Sequence, residues 1–375
     1  MKVHISTIRL HQVTLPLVHS FQTSSHRKSS LTHILVEASD KDGNTGWGEI
    51  ASPTDPFFCG ETTHGAWDIS VRHLVPRMLG AQWEHPSEID AAFAKIRGNE
   101  FAKAGFIAAA WALWATASEI PLAAALGATR SEVAAGVSLG IEPTIDALLA
   151  QVDRHLSDGY RRVKLKIAPG WDIAPVRAVR AAYPDADLHV DANGAYPSTP
   201  EAAALLAQLD EFGLTMIEQP FSPRDFLAHA ALQSRIATPI CLDESVVDVA
   251  DLATMIHLDA GRVLNIKVSR MGGLTQALAA HDAAQRAGIP VWCGGMHEFG
   301  VGRAANVALS ALPGFTLPSD VSGSDKYFAR DVITAPVVAV SGMVTVPQAA
   351  GLGFEVDREW IAANRNAFFD TATAR

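Results

Sequence analysis

The sequence contains little cysteine. Its 375 residues include three cysteines, Cys59, Cys241 and Cys293, which lie far apart and form no CxxC pair. Closely spaced pairs are typical of structural zinc sites, and several pairs are typical of a disulfide framework. Neither is indicated here, and we expect a reduced, cytoplasmic protein.

Long apolar runs and an excess of basic residues are also absent. No apolar stretch reaches the roughly 20 residues that span a bilayer, and residues 1–17 alternate like a strand rather than a secretory signal. The 30 basic and 40 acidic residues give a net charge of −10, and neither half of the chain holds a lysine and arginine cluster. We therefore expect neither a membrane nor a nucleic-acid partner.

The composition that remains, 48% hydrophobic and 19% charged, is that of an ordinary folded protein large enough for two domains. The N-terminal region predicts an antiparallel sheet with strands at residues 3–17, 32–38 and 45–50. A loop rich in small polar residues, His19 to Ser30, separates the first two strands. Alanine-rich helices follow between residues 63 and 126, with apolar residues around their whole circumference, which predicts buried helices.

Short apolar runs alternate with helical stretches from about residue 133. This alternation predicts an α/β fold with a parallel barrel of eight strands. The predicted strands are residues 135–141, 162–167, 187–193, 215–219, 239–244, 263–268, 290–294 and, more weakly, 315–317. We assign residues 1–128 to the N-terminal domain and 129–334 to the barrel. Residues 337–354 return to β-like alternation, so we expect about 335–375 to complete the N-terminal domain.

Charged residues end five successive strands of the predicted barrel. The residues concerned are Lys166, Asp191, Glu218, Asp243 and Lys267, and they recur every 24 to 27 residues, which is one βα unit. Since the carboxyl ends of barrel strands form the face where chemistry occurs, these side chains should meet there.

Three neighbouring carboxylates, Asp191, Glu218 and Asp243, would repel one another unless a cation neutralised them. All-oxygen ligands favour Mg²⁺, with Mn²⁺ as a substitute, over Zn²⁺. A single aspartate at such a position usually caps the following helix, but three on consecutive strands indicate a metal site.

Two lysines flank this predicted metal site from opposite sides of the barrel, Lys166 on the second strand and Lys267 on the sixth. Lys164 shares a face with Lys166 because side chains two apart on a strand point the same way. Its positive charge should favour the neutral, proton-accepting form of Lys166.

The pattern Lys164-Leu165-Lys166, Asp191, Glu218, Asp243 and Lys267 resembles the signature of the enolase superfamily, muconate lactonizing subgroup, whose lysine base works beside Mg²⁺. Shorter motifs are similar to those of the o-succinylbenzoate synthase and N-succinylamino acid racemase family. These motifs are residues 46–49, 55–58, 265–267 with Arg270, 291–296, 302–304 and 312–316. The resemblance implies a (β/α)7β modified TIM barrel under an α+β N-terminal capping domain.

The family resemblance also implies a reaction. An o-succinylbenzoate synthase of menaquinone biosynthesis is a Mg-dependent carbon-oxygen lyase, in which Lys166 would remove the α-proton of a small carboxylate substrate and Lys267 would supply positive charge. The alternative is an N-succinylamino acid racemase, in which both lysines exchange protons with one α-carbon. Both activities can coexist, and another muconate-type cycloisomerase or a dipeptide epimerase is a further alternative. A Schiff-base aldolase or a silent binding protein would leave the three carboxylates unexplained.

Further residues are candidates by position or by resemblance. Asn193 and Glu244 lie beside predicted metal ligands and would orient them, or else cap helices, and Arg270 would tune Lys267 or form an ordinary ion pair. The predicted substrate contacts are Ser138, Gly295, Met296, Phe21, Thr23 and Phe58. The first of these would bind the substrate carboxylate or a backbone group, and the loop at residues 19–30 would close over the pocket.

Two positions depart from the family pattern. Phe58 stands where many relatives have tyrosine, and Ala305 where relatives often have histidine. His297 follows the seventh strand without an evident acidic partner, so we do not assign it as the base. We also expect a homo-oligomer.

Overall fold

The computed structural model describes residues 2–24 and 27–374. Its N-terminal region is an antiparallel sheet built on a long hairpin, in which buried apolar residues alternate with more exposed ones. The first strands are β1 (Val3–Gln22), β2 (Arg27–Asp40), β3 (Thr45–Ile50) and the short β4 (Gln82–Trp83). β1 pairs with β2 and β4, and β2 pairs with β3.

The predicted loop at residues 19–30 is wrong for most of its length. β1 continues to Gln22 and β2 begins at Arg27, with Phe21 opposite Lys28 and Gln22 opposite Arg27. Backbone pairing extends the hairpin beyond the core, where its small polar residues need no apolar alternation. Ser25 and His26, which the prediction included, lie outside the described residues.

The α-helices described in this region are α1 (Thr63–Ile69), α2 (Val75–Met78), α3 (Ile89–Phe93), α4 (Glu100–Ala117) and α5 (Leu122–Ala125). Of these, α4 contacts β2 and β3, and α1 contacts β2. α4 is buried on nearly every side, which confirms the prediction for this helix. It lies unusually close to β3, since a Cβ added at Gly48 would stand 1.9 Å from the Gly105 carbonyl oxygen.

The second region is a curled parallel sheet whose strands follow one another in chain order. The antiparallel β5 (Glu132–Ala134) precedes it. Its seven strands are β6 (Val137–Leu139), β7 (Arg162–Lys166), β8 (Asp187–Asp191), β9 (Met216–Glu218), β10 (Ile240–Leu242), β11 (Val263–Ile266) and β12 (Val291–Cys293).

The eighth predicted strand, residues 315–317, is reduced to isolated bridges. Phe315 bridges to Val291 of β12, and Ser319 bridges to Ala135 beside β6. The segment therefore closes the barrel between its last and first strands, although it is too irregular to form a continuous ladder.

Helices on the outside of the barrel connect its strands. They are α6 (Ile145–Ser157), α7 (Ile173–Ala182), α8 (Pro200–Ala207), α9 (Phe226–Gln233), α10 (Val249–Leu258), α11 (Leu274–Arg286) and α12 (Gly300–Ser310). Several begin at side-chain caps; Thr144, Thr199 and Asp248, for example, accept hydrogen bonds from backbone N–H groups of the first turn.

The C-terminal segment contacts both regions. β13 (Met343–Thr345) pairs with β5, and after α13 (Arg358–Asn364) the last strand, β14 (Arg365–Asp370), pairs with β1. The strand that joins the N-terminal sheet is thus β14 rather than residues 337–354. The domain boundaries at 128 and 335 stay predictions.

Two further observations concern the molecule as a whole. Among the described helices, none combines the length and the apolar character needed to cross a membrane. The two regions are joined by Glu49 of β3, whose carboxylate accepts backbone hydrogen bonds from Phe299 (2.8 Å) and Gly302 (2.7 Å) at the start of α12. His33 of β2 binds the same carboxylate at 2.7 Å.

Candidate active site

The carboxyl ends of five neighbouring barrel strands bring the predicted charged residues together. Lys166 lies opposite Asp191, and Asp191 lies opposite Glu218, in the parallel register of β7, β8 and β9. Asp243 and Lys267 come directly after β10 and β11. All five side chains are buried.

Each lysine of this group binds a carboxylate of a neighbouring strand. Lys166 Nζ donates to Asp191 Oδ2 at 2.5 Å and to Asn193 Oδ1 at 2.6 Å. Lys267 Nζ donates to Asp243 Oδ2 at 2.6 Å. These bonds hold both amino groups in defined positions.

Lys164 is the cation at the centre of the arrangement. Its Nζ lies 3.1 Å from Glu218 Oε2, 3.1 Å from Asp320 Oδ2 and 3.4 Å from Asp191 Oδ2. Burial alone would lower the pKa of Lys164, but Asp320 and the other carboxylates outweigh it and raise this pKa well above its ordinary value. Lys164 is therefore a permanent positive charge on the same strand as Lys166.

The three predicted metal ligands bind cations of the chain itself. Across residues 2–24 and 27–374, no group of three or more His, Cys, Asp or Glu side chains is arranged to hold a metal ion. The donor set nevertheless fits a hard divalent cation, because Asp191, Glu218 and Asp243 are at most 1% exposed and offer only carboxylate oxygens from adjacent strands.

A cavity of about 210 Å³ opens above the strand ends. All six predicted substrate contacts line it: Phe21, Thr23, Phe58, Ser138, Gly295 and Met296. Lys164, Lys166, Lys267, Asn193 and Glu244 line it as well. Arg270 and the three predicted metal ligands do not line the cavity, because they are buried behind the residues that do.

Asn193 connects Lys166 to the neighbouring carboxylates, and its role in orienting metal ligands stays a prediction. Its backbone N–H donates to Asp191 at 2.9 Å, and its side-chain amide donates to Glu244 at 2.9 Å. Glu244 Oε2 has no hydrogen-bond partner among the described residues. Burial and the charge of Asp243 raise the pKa of Glu244 to about 8.

Arg270 and Lys267 share one carboxylate. The Arg270 guanidinium binds Asp243 and the Asn265 carbonyl oxygen, and its Nε donates to the Val246 carbonyl oxygen at 2.9 Å. Burial lowers the pKa of Lys267, Asp243 and Glu244 raise it more strongly, and Arg270 opposes them, with the pKa raised overall. Arg270 thus forms an ion pair with Asp243 and, through the same contact, influences the charge of Lys267.

Phe58 contacts the second lysine. The centre of its ring lies 4.7 Å from Lys267 Nζ, a distance typical of a cation–π contact. Phe58 therefore contacts Lys267 through its ring alone, without the hydroxyl that a tyrosine would add. Ala305, the other departure, is buried within α12.

Asp320 is one of the residues of the site that were not predicted from the sequence. It binds Arg162 at 2.8 Å and Lys164 at 3.1 Å, and the Ser138 hydroxyl, 3.0 Å from each of its carboxylate oxygens, donates to it. Ser138 is therefore bonded to a side chain rather than to backbone. The signal was present, because Asp320 follows the weak eighth strand just as the other charges follow theirs.

His297 lines the cavity between two aromatic rings, 4.5 Å from Phe21 and 4.7 Å from Tyr327 between ring centres. Burial and the positive charge of Lys28 hold its pKa well below the ordinary value. Lys28 itself, which also lines the cavity, was not predicted, because it lies in a polar stretch without a strand pattern.

The chain was compared with known protein families. Residues 5–127 match the mandelate racemase / muconate lactonizing enzyme N-terminal domain, and residues 147–360 match the enolase C-terminal domain-like family. The chain belongs to the enolase superfamily. It is therefore an enzyme. A Schiff-base aldolase and a catalytically silent binding protein are no longer alternatives.

Individual relatives cover the chain from end to end. The enzyme is 43% identical over 377 residues to o-succinylbenzoate synthase from Geobacillus kaustophilus, covering 100% of both chains. It is 45% identical to N-succinylamino acid racemase from an Amycolatopsis species, covering 93% of this chain and 94% of that protein. A solved enolase superfamily member from Listeria innocua has a TM-score of 0.94 at 37% identity, covering 98% of this chain and 99% of the other. The predicted fold class is thereby confirmed.

Proposed function

We propose that the enzyme is an o-succinylbenzoate synthase that removes water from 2-succinyl-6-hydroxy-2,4-cyclohexadiene-1-carboxylate. The observation that carries this proposal is that two buried lysines, Lys166 and Lys267, line one cavity above three buried carboxylates. Relatives with the synthase name match this chain over its full length.

We assign Lys166 as the base that accepts the α-proton of the substrate. Asp191 and Asn193 hold its Nζ at the rim of the cavity, and Lys164 keeps a positive charge on the same strand. The proton taken from the α-carbon and the hydroxyl that leaves the neighbouring carbon together make the water that is released. Lys267 supplies positive charge from another strand end.

Enzymes of this superfamily generally use a divalent metal ion. We place Mg²⁺, with Mn²⁺ as a substitute, at Asp191, Glu218 and Asp243. A carboxylate α-proton is too weakly acidic for a lysine alone, and the bound cation would stabilise the negative charge that proton removal leaves on the substrate carboxylate. Asn193 and Asn265, which bond Asp191 and Glu218, would keep these ligands oriented.

N-succinylamino acid racemisation is the second candidate, and it uses the same proton abstraction. The cavity presents amino groups from β7 and from the end of β11, so that protons can be exchanged at both faces of one α-carbon. Arg270, which shares Asp243 with Lys267, favours this reading by its resemblance to an arginine of racemase-capable members.

Parallel initial rates on both substrates test the two candidates. With added Mg²⁺ the purified enzyme should form the aromatic product, and removal of divalent cations by a chelator should stop the reaction until Mg²⁺ is restored. Exchange of the α-proton of both enantiomers of N-succinylphenylalanine in D₂O should report racemisation. Absence of aromatic product would refute the first proposal, and absence of exchange from either enantiomer would refute the second.

The proposal includes a cytoplasmic location and a homo-oligomeric state. Light scattering on the purified protein measures the second directly, and a monomer at micromolar concentration would contradict it.

A further inference from the structure

A fourth lysine faces the cavity from the N-terminal hairpin. Lys28 lies near the start of β2, opposite Phe21 of β1, and lines the cavity together with Lys166 and Lys267. Burial and the positive charges of those two lysines lower the pKa of Lys28 to about 8.

Lys28 differs from the other cavity lysines in its partners. Each of the other three binds a carboxylate at 3.4 Å or less. For the Lys28 amino group, by contrast, no hydrogen bond or ion pair is found within the part of the chain that the structure describes. Asp55, whose charge raises the pKa of Lys28, does not approach within ion-pair distance.

The carboxylates that line the cavity do not balance this charge. Asp320 is already bound to Arg162, Lys164 and Ser138. Glu244 accepts a hydrogen bond from Asn193 at 2.9 Å and forms no ion pair with Lys28 among the described residues. A poorly solvated ammonium without a counter-ion costs free energy, and an anion that enters the cavity would remove that cost.

We propose that Lys28 binds the second carboxylate of the substrate, at the end of its succinyl group, and so selects dicarboxylates over monocarboxylates. This inference rests on the proposed function, which places the first carboxylate at the strand ends. Lys28 belongs to the wall contributed by the hairpin, so it would hold the far end of the substrate without touching the reacting carbon.

Two ligands that differ only in the far carboxylate test this proposal. Calorimetry in the presence of Mg²⁺ would compare o-succinylbenzoate with 2-butanoylbenzoate, which carries a methyl group in place of that carboxylate. Lys28→Met should weaken binding of o-succinylbenzoate at least tenfold and change binding of 2-butanoylbenzoate less than twofold. Lys28→Arg, which keeps the positive charge, should restore most of the affinity for o-succinylbenzoate.

Arg27→Met is the matched control, because it removes a neighbouring positive charge whose guanidinium is exposed and donates to Ser20 at 3.0 Å. It should leave both affinities within twofold of the unaltered enzyme. Equal losses for both ligands in Lys28→Met, no loss for either, or an equal effect of Arg27→Met would overturn the role of Lys28 while the proposed function stands. If the unaltered enzyme binds neither ligand, the proposed function itself fails.

Discussion

Lys166 and Lys267 are held by different kinds of neighbour. Lys166 binds a carboxylate and an amide oxygen, from Asp191 and Asn193. Lys267 binds Asp243 and lies over the ring of Phe58. Under the proposed function Lys166 must accept a proton in both reactions, whereas Lys267 needs to accept one only in racemisation.

Lys166→Ala should lower both dehydration and racemisation at least a hundredfold, since a general base contributes about 10²–10⁴-fold. Initial rates on the two substrates measure the effect. The exposed Lys95→Ala should leave both rates unchanged. Dehydration that survives in Lys166→Ala would show that the base lies elsewhere.

Lys267→Ala should abolish racemisation, because one face of the α-carbon loses its proton exchange. Lys267→Arg should retain part of the dehydration but no racemisation, because a guanidinium stays protonated at any accessible pH. Exchange in D₂O separates the two activities. Full racemase activity in Lys267→Arg would contradict the assignment of two bases.

Tight contacts between elements hold the scaffold under this site, and the approach of α4 to β3 is the closest of them. Gly48→Ala would place a methyl group against the backbone of α4. We expect a loss of roughly 3 kcal/mol in the free energy of unfolding, at the upper end of overpacking effects. Gly60→Ala is the control, because no atom lies within 4 Å of its added Cβ. Urea unfolding of both variants measures the difference, and equal midpoints would contradict the close contact.

The turns after β9 and β10 are joined by hydrogen bonds. Gln219 Oε1 accepts from the backbone N–H groups of Asp243 (3.1 Å) and Ser245 (3.2 Å). His229 of α9 accepts from the Phe221 N–H at 3.3 Å, and its Nδ1 lies 2.7 Å from the Asp225 carbonyl oxygen. A neutral His229 with its proton on Nδ1 satisfies both contacts.

Burial lowers the pKa of His229 to about 4, from about 6.5 in the unfolded chain. The unfolded chain therefore binds the extra proton first, and this residue's contribution to stability is full above pH 6.5 and is lost as the pH falls toward 4. Between pH 7 and pH 4.5 the free energy of unfolding should fall by about 2–3 kcal/mol from this group. Urea unfolding at both pH values should show that the free energy of unfolding of His229→Gln falls by about 2–3 kcal/mol less than that of the unaltered enzyme. An equal fall in the two proteins would refute this role of His229.

At the scale of the whole molecule, one buried carboxylate forms hydrogen bonds between the N-terminal domain and the barrel. Glu49 is 5% exposed, binds two backbone N–H groups at the start of α12 and pairs with His33. Negative charge at a helix N-terminus is favourable. The cavity lies between the two regions, so their attachment also sets the position of the hairpin that carries Lys28.

Glu49→Gln should destabilise the enzyme by roughly 3 kcal/mol, because one amide oxygen cannot replace two carboxylate oxygens and His33 loses its charged partner. Thermal unfolding should show a clearly lowered midpoint. Glu132→Gln, at an exposed position of β5, is the comparison and should unfold like the unaltered enzyme. Equal midpoints for the two variants would show that Glu49 is not needed for the attachment.

The sequence by itself determined the barrel and the lysine and carboxylate set. This was possible because a βα unit has a nearly constant length, so that residues at equivalent strand ends recur at a regular spacing along the chain. Lys166, Asp191, Glu218, Asp243 and Lys267 could therefore be assigned to one face without knowledge of any contact between them.

Only the tertiary structure decided which other residues face the cavity and how the two regions are attached. Lys28 reaches the site through backbone pairing at the tip of a hairpin, and Asp320 through an eighth strand reduced to single bridges. Glu49 binds groups 250 residues further along the chain. These contacts join segments that are distant in sequence and have no periodic pattern of their own, so local propensity carries no signal for them and the packing of the completed fold selects them.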